Sequence, residues 1–155
     1  MIKTETAYLA AGCFWGIEHA FRETHGVVDA VSGYMGGHVP TPDYQQVCRG
    51  NTGHAETVKV IFDPARIDYR QIIQRFLSIH DPTQVNRQGP DIGTQYRSAI
   101  FATSDEQQQT AQKVFGESAS SFHQPIATQV IRDSHIFYPA EEYHQRYIEK
   151  NRSLR

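Results

Sequence analysis

The chain of 155 residues carries 15 basic and 17 acidic side chains, a net charge of −2, with 39% hydrophobic and 21% charged residues. That length suits one domain of about 150 residues and is enough to bury a core without disulfide or metal staples. The mix excludes a disordered tail, a collagen and a disulfide-dense secreted module, and the near-neutral charge offers no field to gather nucleic acid or an anionic membrane.

Residues 6–11 read as a short strand running into a helix whose apolar positions Phe14, Ile17 and Phe21 fall at i, i+3 and i+7. Gly26 closes that helix and residues 27–31 read as a second strand. A third strand is predicted over 56–62, with Val58, Val60 and Phe62 on one face and Lys59 on the other. After an Asp63-Pro64 turn, Tyr69, Ile72, Ile73, Phe76, Leu77 and His80 trace the clearest helical stripe in the sequence. Residues 99–102 form the next strand. Ser104 and Gln107 make a capping box before a helix carrying Ala111, Val114 and Phe115. A weaker strand is expected at 127–131, and Pro139, Glu141 and Glu142 open a last helix ending near Lys150. Helices packed on one sheet, an α+β or two-layer α/β arrangement in a single domain over 1–155, follow from that order.

Two stretches, 34–55 and 81–97, lack periodicity. Loops beyond about 12–15 residues are uncommon in compact domains unless they serve a site. These two hold Tyr34, His38, Tyr44, His54, Asn86, Asp91 and Tyr96 among glycines and prolines, a composition too aromatic for disorder.

Cys13 and Cys48 are the only cysteines, and neither belongs to a CxxC pair. One such pair in a chain this long suits a reducing compartment, and a cytoplasmic location is expected. Leu9-Ala10-Ala11-Gly12-Cys13 resembles a lipoprotein cleavage box, but the basic start and longer apolar run of a signal peptide are missing. The longest apolar run, 7–17, is too short to span a bilayer.

Gly12-Cys13-Phe14-Trp15-Gly16 falls at a strand-to-helix junction. Unpaired N–H groups and the dipole of a first helical turn favour thiolate, and can lower a cysteine pKa from about 8.5 to about 3.5–7.5. The flanking glycines would let a ligand approach the backbone closely. Against this stands the ordinary role of a cysteine in an apolar run, an inert core residue. Phe14 shares the Ile17/Phe21 stripe, which leaves Trp15 as the exposed platform. Glu56 starts a strand beside apolar groups; it is either a solvent-facing strand end or a carboxyl of raised pKa able to donate a proton. The eight histidines show no HExxH or Cys/His spacing, so no metal site is expected. Cys48 is either a resolving thiol or a small buried hydrophobe.

These residues resemble the family of peptide methionine sulfoxide reductase A, specific for the S epimer of the sulfoxide. The likeness runs from Gly12-Cys13-Phe14-Trp15-Gly16 through Thr52-Gly53-His54-Ala55-Glu56 and Gly93-Thr94-Gln95-Tyr96-Arg97-Ser98 to Ala140-Glu141-Glu142-Tyr143-His144-Gln145. It covers nearly the whole chain, and implies a two-layer sandwich with a ferredoxin-like core, a mixed sheet and long active-site loops. By that resemblance Cys13 is the nucleophile, Glu56 the acid, Tyr44, Tyr96 and Asp91 the groups around the sulfoxide oxygen, and Phe14 and Trp15 the wall at the methyl group. No bound cofactor or metal is implied. Many relatives continue into a tail bearing Gly-Tyr-Cys, whereas here no cysteine follows Cys48 before Arg155. The expectation is a monomer whose Cys13 sulfenic acid is resolved by an external thiol, thioredoxin or a small thiol with glutaredoxin; internal resolution by Cys48 is the rival. Two other classes stay open. The aromatic residues with Glu56 describe a cage for methylated ammonium, and Cys13 with His54 as base describes thiol acyl transfer.

Overall fold

Residues 3–132 and 135–151 are described by the computed structural model; the tail noted above lies outside the described residues from position 152 onward. Alternation sets the first strand, β1 (Glu5–Ala11): Ala7, Leu9 and Ala11 turn to one face and Ala10 to the other. It leads into α1 (Phe14–Arg22), then β2 (Val27–Met35), α2 (Tyr44–Cys48), β3 (Ala55–Phe62) and α3 (Tyr69–Ser78). A small hairpin, β4 (Arg87–Gln88) with β5 (Asp91–Ile92), precedes β6 (Ser98–Phe101) and α4 (Asp105–Ser118). The last elements are β7 (Gln129–Ile131), β8 (Tyr138–Pro139) and α5 (Tyr147–Asn151).

Six strands form one sheet in the order β7-β6-β1-β3-β2-β8. The inner four pair antiparallel throughout, and α1 and α3 cross over between β1 and β2 and between β3 and β6. That is the split βαββαβ plait of the ferredoxin-like fold, as expected. β7 joins β6 in parallel and makes the sheet mixed, while β8 closes the other edge on β2. The main core lies between the sheet and the helices, where Phe14, Ile17 and Phe21 of α1 meet Ile72, Ile73 and Phe76 of α3. Each such side chain contributes about 1.5–3 kcal/mol by leaving water. A smaller cluster of Ala10, Met35, Ala55, Ala99 and Phe101 backs the sheet.

Three departures from the expected elements have physical causes. β2 runs four residues past 31, because Ser32, Gly33, Tyr34 and Met35 keep pairing with β3, down to Met35 opposite Ala55. Gly33 serves the strand by having no side chain: a Cβ there would meet Phe137 and the Tyr138 carbonyl within 2.5 Å, so only glycine lets β8 dock. The single helix expected from Pro139 to Lys150 is instead β8, one 3-10 turn at Glu142–His144, and the short α5. Its helix potential loses to tertiary bonds: Arg146 takes a positive φ of 54° and donates its N–H to Glu18 at 2.8 Å. The Ser104 box is half formed, since Ser104 accepts from Gln107 N–H at 3.1 Å while the Gln107 amide oxygen turns to Thr103 N–H at 3.0 Å.

Candidate active site

Cys13 stands at the N-cap of α1 with φ −56° and ψ 123°, directly after Gly12 at φ +95°. A Cβ on Gly12 would lie 2.8 Å from the Cβ and Cγ of Gln88. Glycine is thus required for the β4–β5 hairpin to press against the cysteine turn, and Gln88 is pinned in place by bonds of 2.9 and 2.8 Å to the Asp81 backbone. Gly16 has nothing near its Cβ position. So the expected role of the two glycines is corrected: Gly12 admits a protein segment, and Gly16 marks an exposed helix surface.

The thiol is half-buried, and its pKa is pushed up to about 11. Burial is the main cause; the backbone N–H of Trp15 pulls the other way, and the charges of Glu56, Asp91 and Cys48 add to the rise. The expected lowering by the helix start is present but outweighed, and Cys13 rests as a thiol at neutral pH.

Glu56 shares its face of β3 with Val58, Val60 and Phe62, so the same alternation that buries those residues carries its carboxyl beneath α1. It is 1% exposed, which rules out the solvent-facing strand end. Its Oε1 accepts the Phe14 N–H at 3.1 Å, the first donor of α1, while Oε2 is buried and has no partner. Burial and, to a smaller extent, the charge of Asp91 raise its pKa from 4.5 to about 7, against the Phe14 bond. Near neutral pH this carboxyl is therefore poised between donor and acceptor.

Tyr44 opens α2, whose start is fixed by a full capping box: Asp43 accepts from Gln46 N–H at 2.8 Å and Gln46 accepts from Asp43 N–H at 2.9 Å. Burial, the Cys48 side chain one turn on, and the charges of Glu56 and Tyr96 hold the Tyr44 phenol protonated. Tyr96 ends a 3-10 turn, Thr94–Tyr96; burial first, then the charges of Glu56, Cys48, Asp91 and Cys13, holds its phenol protonated as well. Asp91 sits in β5, and its charge bears on Cys13, Glu56 and Tyr96 alike. The fold thus brings Cys13 at the N-cap of α1, Tyr44 and Cys48 of α2, Glu56 of β3, Asp91 of β5 and Tyr96 of the 3-10 turn within electrostatic reach of one another. Cys48 is exposed, so the small-buried-hydrophobe option for it fails.

Phe14 is 1% exposed and is enclosed by Tyr34, Tyr44 and His144 at ring separations of 5.8, 6.5 and 5.2 Å. Trp15, half-buried, is the ring with surface to offer. Its indole N–H donates to His144 Nδ1 at 2.9 Å, and Tyr147 stacks on it at 3.8 Å with 8° between planes. Tyr34 was picked out with the 34–55 stretch, whereas His144, Tyr147 and Glu141 were given no site role from the sequence. All three lie in the stretch expected to be a regular helix, where nothing in the periodicity separates one residue from another.

His54 is not available as a base for Cys13. It is 2% exposed, with Nδ1 accepting the Gly37 N–H at 3.0 Å and Nε2 bonded to the Val39 carbonyl at 2.7 Å. Burial lowers its pKa, so the neutral ring is a clamp for the loop after β2. The cage for methylated ammonium fares no better, since most of the Phe14 surface is already occupied by protein. Among the described residues no group of three or more His, Cys, Asp or Glu gathers as a metal site.

A family model described as peptide methionine sulfoxide reductase matches residues 5–155. The peptide methionine sulfoxide reductase MsrA of Methanothermobacter thermautotrophicus is 53% identical over 151 residues, 96% of this chain and 89% of that protein. Among solved structures, Mxr1 from Saccharomyces cerevisiae in reduced form superposes with a TM-score of 0.90 at 41% identity, covering 97% of this chain and 87% of that one. Mxr1 in complex with Trx2 superposes with a TM-score of 0.66 at 30% identity, covering 94% and 85%.

Proposed function

Since the chain belongs to the peptide methionine sulfoxide reductase family and is an oxidoreductase that reduces methionine sulfoxide, we propose that Cys13 is its nucleophile and Glu56 its acid. The single observation that carries this is the pairing of a half-buried thiol with a buried carboxyl whose Oε2 has no partner in the protein. Tyr44 and Tyr96 hold the sulfoxide oxygen beside Glu56, Asp91 tunes the charge of the site, and Trp15 forms the wall for the methyl group, with Phe14 backing the site from the core through Tyr34, Tyr44 and His144.

A sulfoxide sulfur is a poor electrophile until charge on its oxygen is relieved. Neutral Glu56 donates a proton to that oxygen, and the two phenols stabilise the charge that develops there in a site shielded from water. The Cys13 sulfur attacks the sulfoxide sulfur, the oxygen passes to Cys13 with the proton from Glu56, and methionine leaves. Cys13 attacks as the thiolate, having given its proton to solvent, so Glu56 is left as carboxylate and takes a proton back from solvent, and Cys13 is left as sulfenic acid. Protonation of Glu56 also removes one of the charges that raise the Cys13 pKa, so the acid and the nucleophile are readied by the same event.

Two electrons return from an external thiol: it condenses with the sulfenic acid to release water, and a second thiol breaks the mixed disulfide. Thioredoxin is the favoured reductant, supported by the yeast relative solved with Trx2; a small thiol with glutaredoxin is the alternative. The exposed Cys48 lies close enough for its charge to act on Cys13, which keeps internal resolution as the rival. Intact mass after one turnover without reductant separates them, because an internal disulfide is one water lighter than the sulfenic acid. The substrate is methionine S-sulfoxide, protein-bound or free, repaired in the cytoplasm. Two core clusters packed on the faces of one sheet support a single domain, which on this reading works as a monomer, and no helix among the described residues is long and apolar enough to cross a membrane.

Dithiothreitol-driven reduction of the separate S and R epimers, by wild type and Cys13→Ser, tests the proposal. S-selective turnover lost on substitution is expected. Turnover that survives the substitution, or equal use of both epimers, would contradict it.

A further inference from the structure

The segment from Tyr138 to Gln145 ties the sheet to α2. Ala140 N–H donates to the Ser32 carbonyl at 2.9 Å, and Gln145 brackets the same residue, accepting its N–H at 2.9 Å and donating to its carbonyl at 2.8 Å. From that base Glu141 reaches two ways. Its Oε1 accepts the Tyr34 hydroxyl at 2.8 Å and its Oε2 accepts the Tyr44 backbone N–H at 3.0 Å.

Tyr44 begins a helix of only five residues, far below the length at which a helix holds itself. Asp43 and Gln46 order its first turn but bond only to each other's backbone. Val47, fully buried, sets how deep α2 sits in the core, and the Gln95 side-chain amide, donating to the Cys48 carbonyl at 3.1 Å, holds its last turn. The Tyr44 N–H is one of the unpaired donors of a first turn, and Glu141 fastens that first turn, and with it the Tyr44 backbone, to the segment after β8. Burial works to raise the Glu141 pKa, but the N–H groups of Tyr44 and of Glu141 itself, with the Tyr34 hydroxyl, hold it below the usual range. The clamp is thus charged at neutral pH. Its other arm holds Tyr34, fully buried and tilted against Phe14 at 5.8 Å.

We infer that Glu141 is a positioning residue for sulfoxide reduction: it fixes the backbone of Tyr44 at the start of α2 and so aims the Tyr44 phenol at the sulfoxide oxygen. This rests on the role given above to Tyr44. Misplacing a group by about 1 Å costs up to about 100-fold in rate, which sets the scale.

The test is single-turnover methionine formation from a methionine S-sulfoxide peptide without reductant. It compares wild type, Glu141→Ala, Glu141→Gln, Tyr44→Phe and the Glu141→Ala/Tyr44→Phe double variant. Glu141→Ala is expected to slow the saturated rate by about 10- to 100-fold with a smaller change in half-saturation. Glu141→Gln, whose amide oxygen still accepts the Tyr44 N–H, should stay within about threefold. In the Tyr44→Phe background, Glu141→Ala should cost less than about twofold, as expected for two residues acting as one unit. Losses that multiply in the double variant, or an unchanged rate in Glu141→Ala, overturn the clamp while leaving Tyr44 in place. A Tyr44→Phe chain as fast as wild type overturns the role of Tyr44 itself, and the clamp with it. Should Glu141→Ala fail to fold, Tyr34→Phe keeps the ring and removes one of the two bonds to Glu141. Its rate loss must then vanish in the Tyr44→Phe background, and persistence of the loss overturns the inference.

Discussion

Glu18 and Glu56 are equally buried, each 1% exposed, and they are solvated by the protein in opposite ways. Glu18, within α1, is saturated: Oε1 accepts the Ser32 hydroxyl at 2.7 Å, and Oε2 accepts Arg22 Nε at 2.9 Å and Arg146 N–H at 2.8 Å. Arg22 is itself shared with Asp29 at 2.9 Å. Glu56, under the first turn of the same helix, has one bond at 3.1 Å and one orphaned oxygen. A buried charge with partners on every side holds elements together, here α1, β2 and the chain entering α5. A buried acid with a partner on one side only keeps its proton near neutral pH and has a free oxygen to offer. The same burial therefore makes a joint midway along α1 and, under its first turn, leaves a carboxyl suited to the acid role proposed above.

Breaking the joint should give the largest effect. Glu18→Ala leaves the Arg22 Nε, the Ser32 hydroxyl and the Arg146 N–H without their acceptor, although Arg22 keeps Asp29 and the Ala30 carbonyl, and is expected to destabilise the fold by about 3 kcal/mol, read by urea unfolding. The carboxyl under the first turn should respond in rate. Glu56→Gln keeps the shape but cannot deliver a proton, and the single-turnover rate should fall about 100- to 1000-fold with the fold intact.

The two carboxyls should also differ in the sign of their stability effect. The folded pKa of Glu56, about 7, lies above its unfolded value near 4.5. Its favourable contribution is thus complete below pH 4.5 and is lost as pH rises through about 7. At about 1.4 kcal/mol per pKa unit, Glu56→Gln should be more stable than wild type by up to about 3 kcal/mol above pH 7, and the advantage should shrink towards pH 4.5. Denaturant midpoints of the two proteins across that range measure it; a variant less stable than wild type at every pH would place Glu56 among the structural carboxylates beside Glu18. The smallest effect concerns Cys13. Removing the Glu56 charge should lower its thiol pKa from about 11 by about one unit or less. Alkylation rate against pH, in a Cys48→Ser background, reads the shift.

How much of this was legible beforehand depended on whether a residue's role is local. The inner plait was readable because β1, β3 and α3 carry their burial in their own alternation or helical stripe. The same pattern held the key to Glu56, which falls in phase with Val58, Val60 and Phe62, although a charged residue at a strand start reads as solvent-facing. The capping box Asp43/Gln46 was a local signal for α2 that the long loop concealed. The end of the chain was illegible for a physical reason. Its helix potential is ordinary, and what breaks it, Gln145 on Ser32 and Arg146 on Glu18, lies more than a hundred residues away in sequence. Glu141, His144 and Tyr147 take their places from distant contacts of the same kind, Glu141 on Tyr34 and Tyr44 and the other two on Trp15. The Cys13 pKa was misjudged because the helix start is a short-range, readable effect, whereas the burial that outweighs it depends on a hairpin 75 residues away, with Gln88 against Gly12.

The most direct trial is kcat/KM for methionine S-sulfoxide against pH, from about pH 5 to about pH 10, in wild type and Glu56→Gln. The competent form holds neutral Glu56 and Cys13 thiolate together. Its population rises about tenfold per pH unit up to about 7 and then levels, because beyond that point each gain in thiolate is offset by loss of the Glu56 proton. Wild type should therefore show a break near pH 7, while the slower Glu56→Gln enzyme should keep rising past it. A break at the same pH in both proteins, or none in wild type, would contradict Glu56 as the acid.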